Sequence, residues 1–419
     1  MVLVLGRVNL VNTARDVLES VIRRTSVFKN REVLYPEYVP EELPHRENQL
    51  RQLGEIFKYM LLNPGAVSQR ALLVGGIGTG KTVTARVFGR EMRRLARERG
   101  VDLRYVHINC HRDRTLYEVV CELARQIGAP IPLRGLSPRE IMLALLNYLE
   151  RRNIYAIVTL DEFDYFIDVA GNDAVYFIVR LYDEYQELRK RLSFIFIARD
   201  IASIHRLDPA TESYMLKHVV VFEKYRSNEL FDILDSRRRR AFHEGTVDDD
   251  VLRYIADVEG VDRGGEGNAR AAIEALLLAG EAADHEGAHK VTIAHVRKAL
   301  SHVQPDIVRI AEILPYLQLH ELLVLKAAVS LLKRRGEPYV KIGEVEEEYR
   351  ELCQLIGEEP RKHTQVYEYV NNLKKMGVIE ARVSGKGFRG RTTLISIIAP
   401  LDALEKQINE IIDRQLKIR

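Results

Sequence analysis

Ala71-Leu72-Leu73-Val74-Gly75-Gly76-Ile77-Gly78-Thr79-Gly80-Lys81-Thr82 is the stretch on which the reading of this 419-residue chain turns. Gly75 to Thr82 fits the pattern G-x-x-x-x-G-K-[ST], set between an apolar strand-like run (71–75) and a helix-length segment (82–98). Glycines allow such a loop to wrap a phosphate with its N–H groups pointing inward. The N-terminus of the following helix adds its positive dipole end. In that frame Lys81 reaches the β- and γ-phosphates, and the Thr82 hydroxyl ligates Mg²⁺. A plain glycine turn would carry the same letters without a strand before it and a helix after it.

A partner for the loop lies at Tyr155-Ala156-Ile157-Val158-Thr159-Leu160-Asp161-Glu162. An apolar strand ending in two carboxylates sets Asp161 to hold the hydration shell of Mg²⁺. Glu162 then orients or deprotonates an attacking water. Acidic residues often end strands, so this string gains its meaning only behind the phosphate loop. Asp164, two positions on, reads as a helix-capping carboxylate.

Outward from these motifs, five strand-like runs alternate with helical stretches. The runs are 71–75, 103–109, 155–160, 194–198 and 218–222; the helical stretches are 82–98, 116–127, 138–151 and 174–191. Such alternation predicts a parallel sheet covered by helices. Strands stop after Tyr225, and 229–242, 249–258, 269–283 and 293–302 read as four helices of a small all-α unit. A boundary falls near Pro305. Three further helices (321–334, 342–356, 364–376) precede a hairpin (378–398) that turns at Gly385 to Gly390, which is the winged-helix order. Residues 12–24 suggest a short amphipathic helix, read as a surface helix or an N-terminal arm.

Bulk composition narrows the class. An apolar share of 46% with 29% charged residues fits a globular chain. No run of 18 apolar residues occurs, so no membrane span is expected. Cys110, Cys121 and Cys353 form no paired spacing, which fits a reducing compartment and predicts a cytoplasmic protein. The histidines show no metal-ligand spacing. A net charge of +3 is too small to announce nucleic-acid binding, so that reading depends on local clustering.

Such a cluster is present. Arg361, Lys362, Lys374, Lys375, Arg382, Lys386, Arg389 and Arg391 are opposed only by Glu368 and Glu380. The third helix and hairpin therefore carry a net charge of about +6 where a winged helix meets DNA. The polar N-terminal residues of the third helix, His363, Thr364 and Gln365, with Lys362 before them, lie nearest the base edges. Lys386, Gly387, Arg389 and Arg391 form a hairpin tip suited to a minor groove. A solvated hairpin or a protein-docking wing is the alternative. Arg237 to Arg240 spans a full helical turn and reads as a solvated or lid-packed face, and Asp248-Asp249-Asp250 as a helix start.

As a set, these residues resemble the archaeal replication initiators related to the origin-recognition complex and its helicase-loading cousin. The resemblance covers about Val27 to Leu401. Val27-Phe28-Lys29-Asn30-Arg31 through Tyr38-Val39-Pro40 and on to His45-Arg46-Glu47 is similar to the family's N-terminal signature. Tyr38, Val39, Pro40, His45 and Arg46 are thereby implied on the adenine side. Asp161-Glu162-Phe163-Asp164 resembles its acidic motif. Gly267-Asn268-Ala269-Arg270 resembles its second sensor, which puts Arg270 at the γ-phosphate.

The resemblance implies an AAA+ P-loop α/β core (26–227) behind an N-terminal arm (1–25), a small all-α lid (228–304) and a C-terminal winged-helix domain (305–419). It further implies ATP or ADP with Mg²⁺, double-stranded origin DNA, other initiator copies and the replicative helicase as ligands and partners. An extra helix after the second strand contacts DNA in this family, which makes Arg112 and Arg114 candidates. Two family positions differ. Arg199 stands at the first-sensor position, where Asn is usual, and Ala210 follows Leu207-Asp208-Pro209, where the trans-acting arginine belongs. Both departures predict slow ATP hydrolysis with nucleotide binding retained. A DNA-binding regulator that uses ATP without initiating replication is the second reading.

Overall fold

A computed structural model of the chain describes residues 26–303, 313–383, 392–397, 399 and 401–417. The N-terminal arm (1–25), the boundary at Pro305 and the hairpin tip fall outside the described residues. The chain divides into two compact units. One comprises Pro36–Ile233 with Glu259–Arg270; the other comprises Met1–Tyr35, Leu234–Val258 and Ala271–Arg419.

In the first unit five parallel strands stand in the order β2-β3-β4-β1-β5. They are β1 (Arg70–Val74), β2 (Asp102–Asn109), β3 (Ile154–Asp161), β4 (Leu192–Ala198) and β5 (Val219–Val221). Every residue of β3 and β4 is buried. Strands covered on both faces need such unbroken apolar runs, which explains why the runs are legible in the sequence. On one face pack α1 (Glu47–Phe57) and α2 (Lys81–Glu98), burying Leu53, Phe57, Phe88 and Met92. The other face carries α3 (Leu116–Ile127), α4 (Pro138–Arg152) and α5 (Phe163–Val179), burying Val120, Leu145, Phe166 and Ile178.

Local chemistry sets the helix ends. Thr115 caps α3 and Ser137 caps α4, each in a reciprocal box with the glutamate three residues on, Glu118 and Glu140. Gly128 and Asn153 end these helices in left-handed conformation. The helix expected over 174–191 is instead part of α5, which starts eleven residues earlier and is interrupted at Gly171 (φ 78°, ψ 172°). A short helix, Leu181–Glu184, and a loop then lead to β4. A further helix, α6 (Pro209–Met215), precedes β5.

Four helices follow as expected: α7 (Ser227–Ala241), α8 (Asp249–Glu259), α9 (Ala269–Glu286) and α10 (Ile293–Val303). Arg238 of the four-arginine run pairs with Asp235 and Asp249, while Arg237 donates to the Val33 carbonyl at 3.1 Å. The run is thus largely spent on its own surroundings.

The last domain holds α11 (Leu319–Arg335), β6 (Val340–Lys341), α12 (Ile342–Leu355), α13 (His363–Lys375), β7 (Glu380–Val383), β8 (Thr393–Ser396) and α14 (Leu401–Lys417). The antiparallel sheet runs β6-β8-β7. Leu322, Val345, Val370, Leu373 and Ile395 fill its core. Two elements go beyond the sequence reading: β6, only two residues long, and α14. The latter buries Leu401, Leu404, Ile408 and Ile412 at helical spacing. Burying each such side chain contributes up to about 1.5–3 kcal/mol. Among the described residues no helix is long and apolar enough to cross a membrane.

Candidate nucleotide site and nucleic-acid interface

The phosphate loop leaves β1 and enters α2 at the point where strand order reverses, since β1 lies between β4 and β5 while the chain continues to β2 at the far edge. Open α/β sheets bind ligands in the crevice at such a switch point. Three glycines are required by space as well as by conformation, the first being Gly75 (φ 157°), whose Cβ would lie 2.3 Å from the Phe222 carbonyl oxygen. Gly78 (φ 72°) would put a Cβ 1.7 Å from Oδ1 of Asn268, and its carbonyl accepts from the Ala269 N–H at 3.1 Å. Gly80 (φ 89°) would put one 2.8 Å from the Tyr225 hydroxyl. The rest of the loop is tied down from inside. Buried Thr79 donates to the Gly76 carbonyl at 2.9 Å, and Lys81 Nζ donates to the Gly75 and Gly76 carbonyls at 2.5 and 2.8 Å. Gly75, Gly76 and Ile77 complete the turn, with Ile77 exposed at its tip.

The acidic pair arrives on β3. Asp161 Oδ2 accepts from the Thr82 hydroxyl at 2.8 Å and faces His107 Nε2 at 3.2 Å, while its Oδ1 accepts from the Glu162 N–H at 3.0 Å. Burial alone would raise the Asp161 carboxyl. The hydrogen bonds from His107, Thr82 and Glu162 outweigh it and hold the group below the usual aspartate range. Burial pushes the Lys81 ammonium down from the ordinary lysine value, and Asp161 opposes that shift. Thr82, Lys81 and Asp161 thus already form one interacting set, a donor pattern that fits a hydrated divalent cation beside a phosphate.

Glu162 is in left-handed conformation (φ 56°, ψ 44°), one of three non-glycine residues so placed among those described. That conformation costs roughly 1–2 kcal/mol for an L-residue. It turns the side chain into an open groove lined by Asn109, His111, Arg112, Arg114, Glu118 and Arg199. Arg199 Nε lies 3.6 Å from Asp164 Oδ2. Asp164 is therefore not the helix cap; Glu162 occupies that position, and Asp164 sits in the first turn facing Arg199. Arg206 pairs with Asp168 at 2.8 Å, and Ala210 lies in the first turn of α6, capped by Asp208. Arg112 is shared between Asp113 and Glu122, whereas Arg114 lies over the Tyr165 ring.

Arg270 is the second residue of α9 and is exposed; its N–H donates to Asn268 Oδ1, the atom seated at Gly78. The sensor-like segment thus begins in contact with the phosphate loop. On the implied adenine side, Tyr38 and Val39 are half-buried and Pro40 is buried. His45 (φ 63°) lies 2.7 Å from Asp232. Arg46 is tied to the phosphate loop. Its buried guanidinium donates to the Thr79 carbonyl through Nε (3.0 Å) and Nη2 (2.9 Å) and to the Glu223 carbonyl (3.0 Å), stacked 3.7 Å from the Tyr225 ring centre. It braces the phosphate loop. Sequence gave no signal for His107 either, because only the β2–β3 register, His107 opposite Thr159, brings it beside Asp161.

In the winged helix, Lys362 caps α13, and Lys362, Thr364 and Gln365 are exposed. His363 is exposed too, but its Nδ1 lies 2.6 Å from Glu346. Arg382 does not belong with the exposed basic set. It pairs with buried Asp257 of α8 at 2.7 Å and lies 4.2 Å from the Tyr339 ring centre. Around it, Tyr254 and Arg297 both donate to the Ile397 carbonyl, at 3.1 and 3.2 Å. Lys386, Gly387, Arg389 and Arg391 lie outside the described residues.

A strand order of this kind, a phosphate loop facing an acidic strand end, a helical lid and a winged helix define an AAA+ protein with a C-terminal helix-turn-helix variant. Matches to known families agree: residues 68–203 match the AAA domain, 231–301 the Cdc6 AAA+ ATPase-type lid domain, and 312–407 the CDC6 C-terminal winged helix domain. ORC1-type DNA replication protein 2 of Sulfurisphaera tokodaii is 47% identical over 407 residues, covering 96% of this chain and 97% of that one. Among solved structures, Cdc6p from Pyrobaculum aerophilum (34% identity, TM-score 0.80) covers 93% of this chain and 100% of that one. The Aeropyrum pernix ORC1 protein in complex with DNA (32% identity, TM-score 0.59) covers 92% and 97%. The chain belongs to the ORC1-type DNA replication proteins, the archaeal replication initiators of the origin-recognition-complex and Cdc6 kind.

Proposed function

We propose that this protein is a nucleotide-switched initiator that binds duplex DNA at a replication origin and helps recruit the replicative helicase, in company with other initiator copies. The observation that carries the reading is the pairing of a braced phosphate loop, in direct contact with the Asn268–Arg270 segment, with a winged helix whose reading end is exposed and basic. ATP or ADP is held by the N–H groups of Gly75 to Thr82 and by Lys81. Arg270 reads the γ-phosphate, so the lid segment distinguishes ATP from ADP. Thr82 and Asp161 would hold Mg²⁺, which would supply charge neutralisation at the phosphates. Glu162 orients a water and accepts its proton.

Hydrolysis is slow in this reading. Ala210 carries no guanidinium for a neighbouring subunit, and Arg206 is engaged by Asp168. Arg199 presents charge without the amide that positions water. On the DNA side, Lys362, Lys386, Arg389 and Arg391, with Gly387 among them, contact phosphate or a narrow minor groove. Thr364 and Gln365 face base edges in the major groove.

A regulator that binds ATP and DNA without initiating is the second reading, favoured by Arg199 and Ala210. Genome-wide binding maps in cells separate the two. Sharp enrichment at replication origins, lost in Lys81→Ala, is the expected result. Scattered promoter sites without origin enrichment would replace initiation by regulation.

A further inference from the structure

Glu368 stands where a DNA-reading helix should not tolerate a carboxylate. Val366, Val370 and Leu373 form the buried side of α13. At 3.6 residues per turn the opposite side carries Thr364, Glu368, Asn371 and Lys375, with Glu368 central. Thr364, Glu368 and Lys375 are exposed and Asn371 is half-buried.

Three acids packed around the helix have structural employment. Glu346 accepts from Arg350 and His363, Glu321 from the Gln318 N–H and Asn372, and Glu380 from Ser396. Glu368 has no such partner among the described residues. Its neighbours at i−4, i−3, i+3 and i+4 are Thr364, Gln365, Asn371 and Asn372, so no helical ion pair forms. It lies beyond the first turn, where the helix dipole favours an acid. No packing contact and no helical ion pair accounts for it.

On a face that meets a polyanion, an unpaired carboxylate weakens every sequence-independent contact. The repulsion is offset only where a base edge offers a hydrogen-bond donor. In the major groove guanine presents two acceptors and thymine an acceptor and a methyl group. Adenine's amino group sits beside the N7 acceptor. Cytosine presents its N4 amino group alone.

We propose that Glu368 is the specificity-determining residue of α13, accepting a hydrogen bond from the N4 amino group of a cytosine. This rests on the duplex-DNA reading given under Proposed function. The test selects randomised duplexes with the full-length protein and with Glu368→Ala and Glu368→Gln, followed by sequencing and affinity measurement. The wild type is expected to prefer cytosine about tenfold at one position. Glu368→Ala flattens that position alone and binds unrelated duplex more tightly. Glu368→Gln moves the preference toward adenine, whose N6 and N7 match an amide. A merely structural glutamate would give neither change, and thermal unfolding is expected to be equal in all three. A wild-type motif that persists in both variants, or duplex binding with no preference, overturns the proposal while the DNA reading stands. Failure of the wild type to bind duplex overturns both.

Discussion

Replacing Arg382 with Ala separates a structural role from a DNA-contact role more sharply than any other change in the winged helix. The guanidinium bonds Asp257, a carboxylate only 6% exposed, at 2.7 Å. Removing one partner of a buried ion pair costs about 3–5 kcal/mol, because the remaining charge is left uncompensated. The Tyr339 hydroxyl still donates to the same Oδ2 at 2.9 Å and recovers about 1.5 kcal/mol. The lost stacking over Tyr339 returns about 0.5–1 kcal/mol to the cost. A net loss near 3 kcal/mol follows, which for a unit of this size lowers the melting temperature by about 6–12 °C. Calorimetry of the intact protein measures it, and adding Asp257→Asn should restore a large part, since the buried carboxylate charge that Arg382 balanced is then gone. In parallel, the salt dependence of duplex binding should keep its slope, whereas loss of a phosphate contact lowers it by about 0.9. An unchanged melting temperature together with a reduced slope would refute the assignment of Arg382 to the α8 contact.

Other perturbations address the core and the last helix. Lys81→Ala should weaken ATP binding at least about tenfold by calorimetry, since a charge-assisted hydrogen bond in a part-buried loop contributes about 1.5–3 kcal/mol; unchanged affinity would remove the phosphate-loop assignment. Phosphate release by the purified protein should stay well below about 1 per second, and faster sustained turnover that vanishes in Arg199→Ala would identify Arg199 as the missing charge. Glu162→Gly should be about 1 kcal/mol more stable than Glu162→Ala, because only glycine adopts the left-handed backbone without strain, while both lose hydrolysis; equal stabilities would contradict that conformation. Ile408→Ala should cost about 2–5 kcal/mol, and a loss under 0.5 kcal/mol would mean that α14 does not complete the winged-helix core.

Much of this was legible before any coordinates. The five core strands lie within two residues of their expected limits because both-face burial writes itself as unbroken apolar runs. The interruption at Gly171 was not, since a helix that restarts looks like two helices to periodicity alone. The two-residue strand β6 is too short to carry a pattern. Helix α14, by contrast, had a readable signal in Leu401, Leu404, Ile408 and Ile412. Within the site, the loop and its acids follow from local spacing. His107, Asp164 opposite Arg199, and the bracing by Arg46 depend on which strands pair and which loops converge, and no local string encodes that. The basic count at the wing overstated the DNA face for the same reason, as Arg382 is consumed by Asp257.

The contact between Gly78 and Asn268 has a consequence for what variation this chain can accept. One atom of the amide occupies the volume in which any side chain at position 78 would begin. The two positions are 190 residues apart, yet they compete for a single space and so behave as one heritable character. A library that randomises position 78 alone should return glycine almost exclusively. Randomising 78 and 268 together should still return glycine most often, because the positive φ persists, but should admit asparagine or alanine at 78 whenever 268 becomes small. Tolerance at the phosphate loop is thus set from the lid.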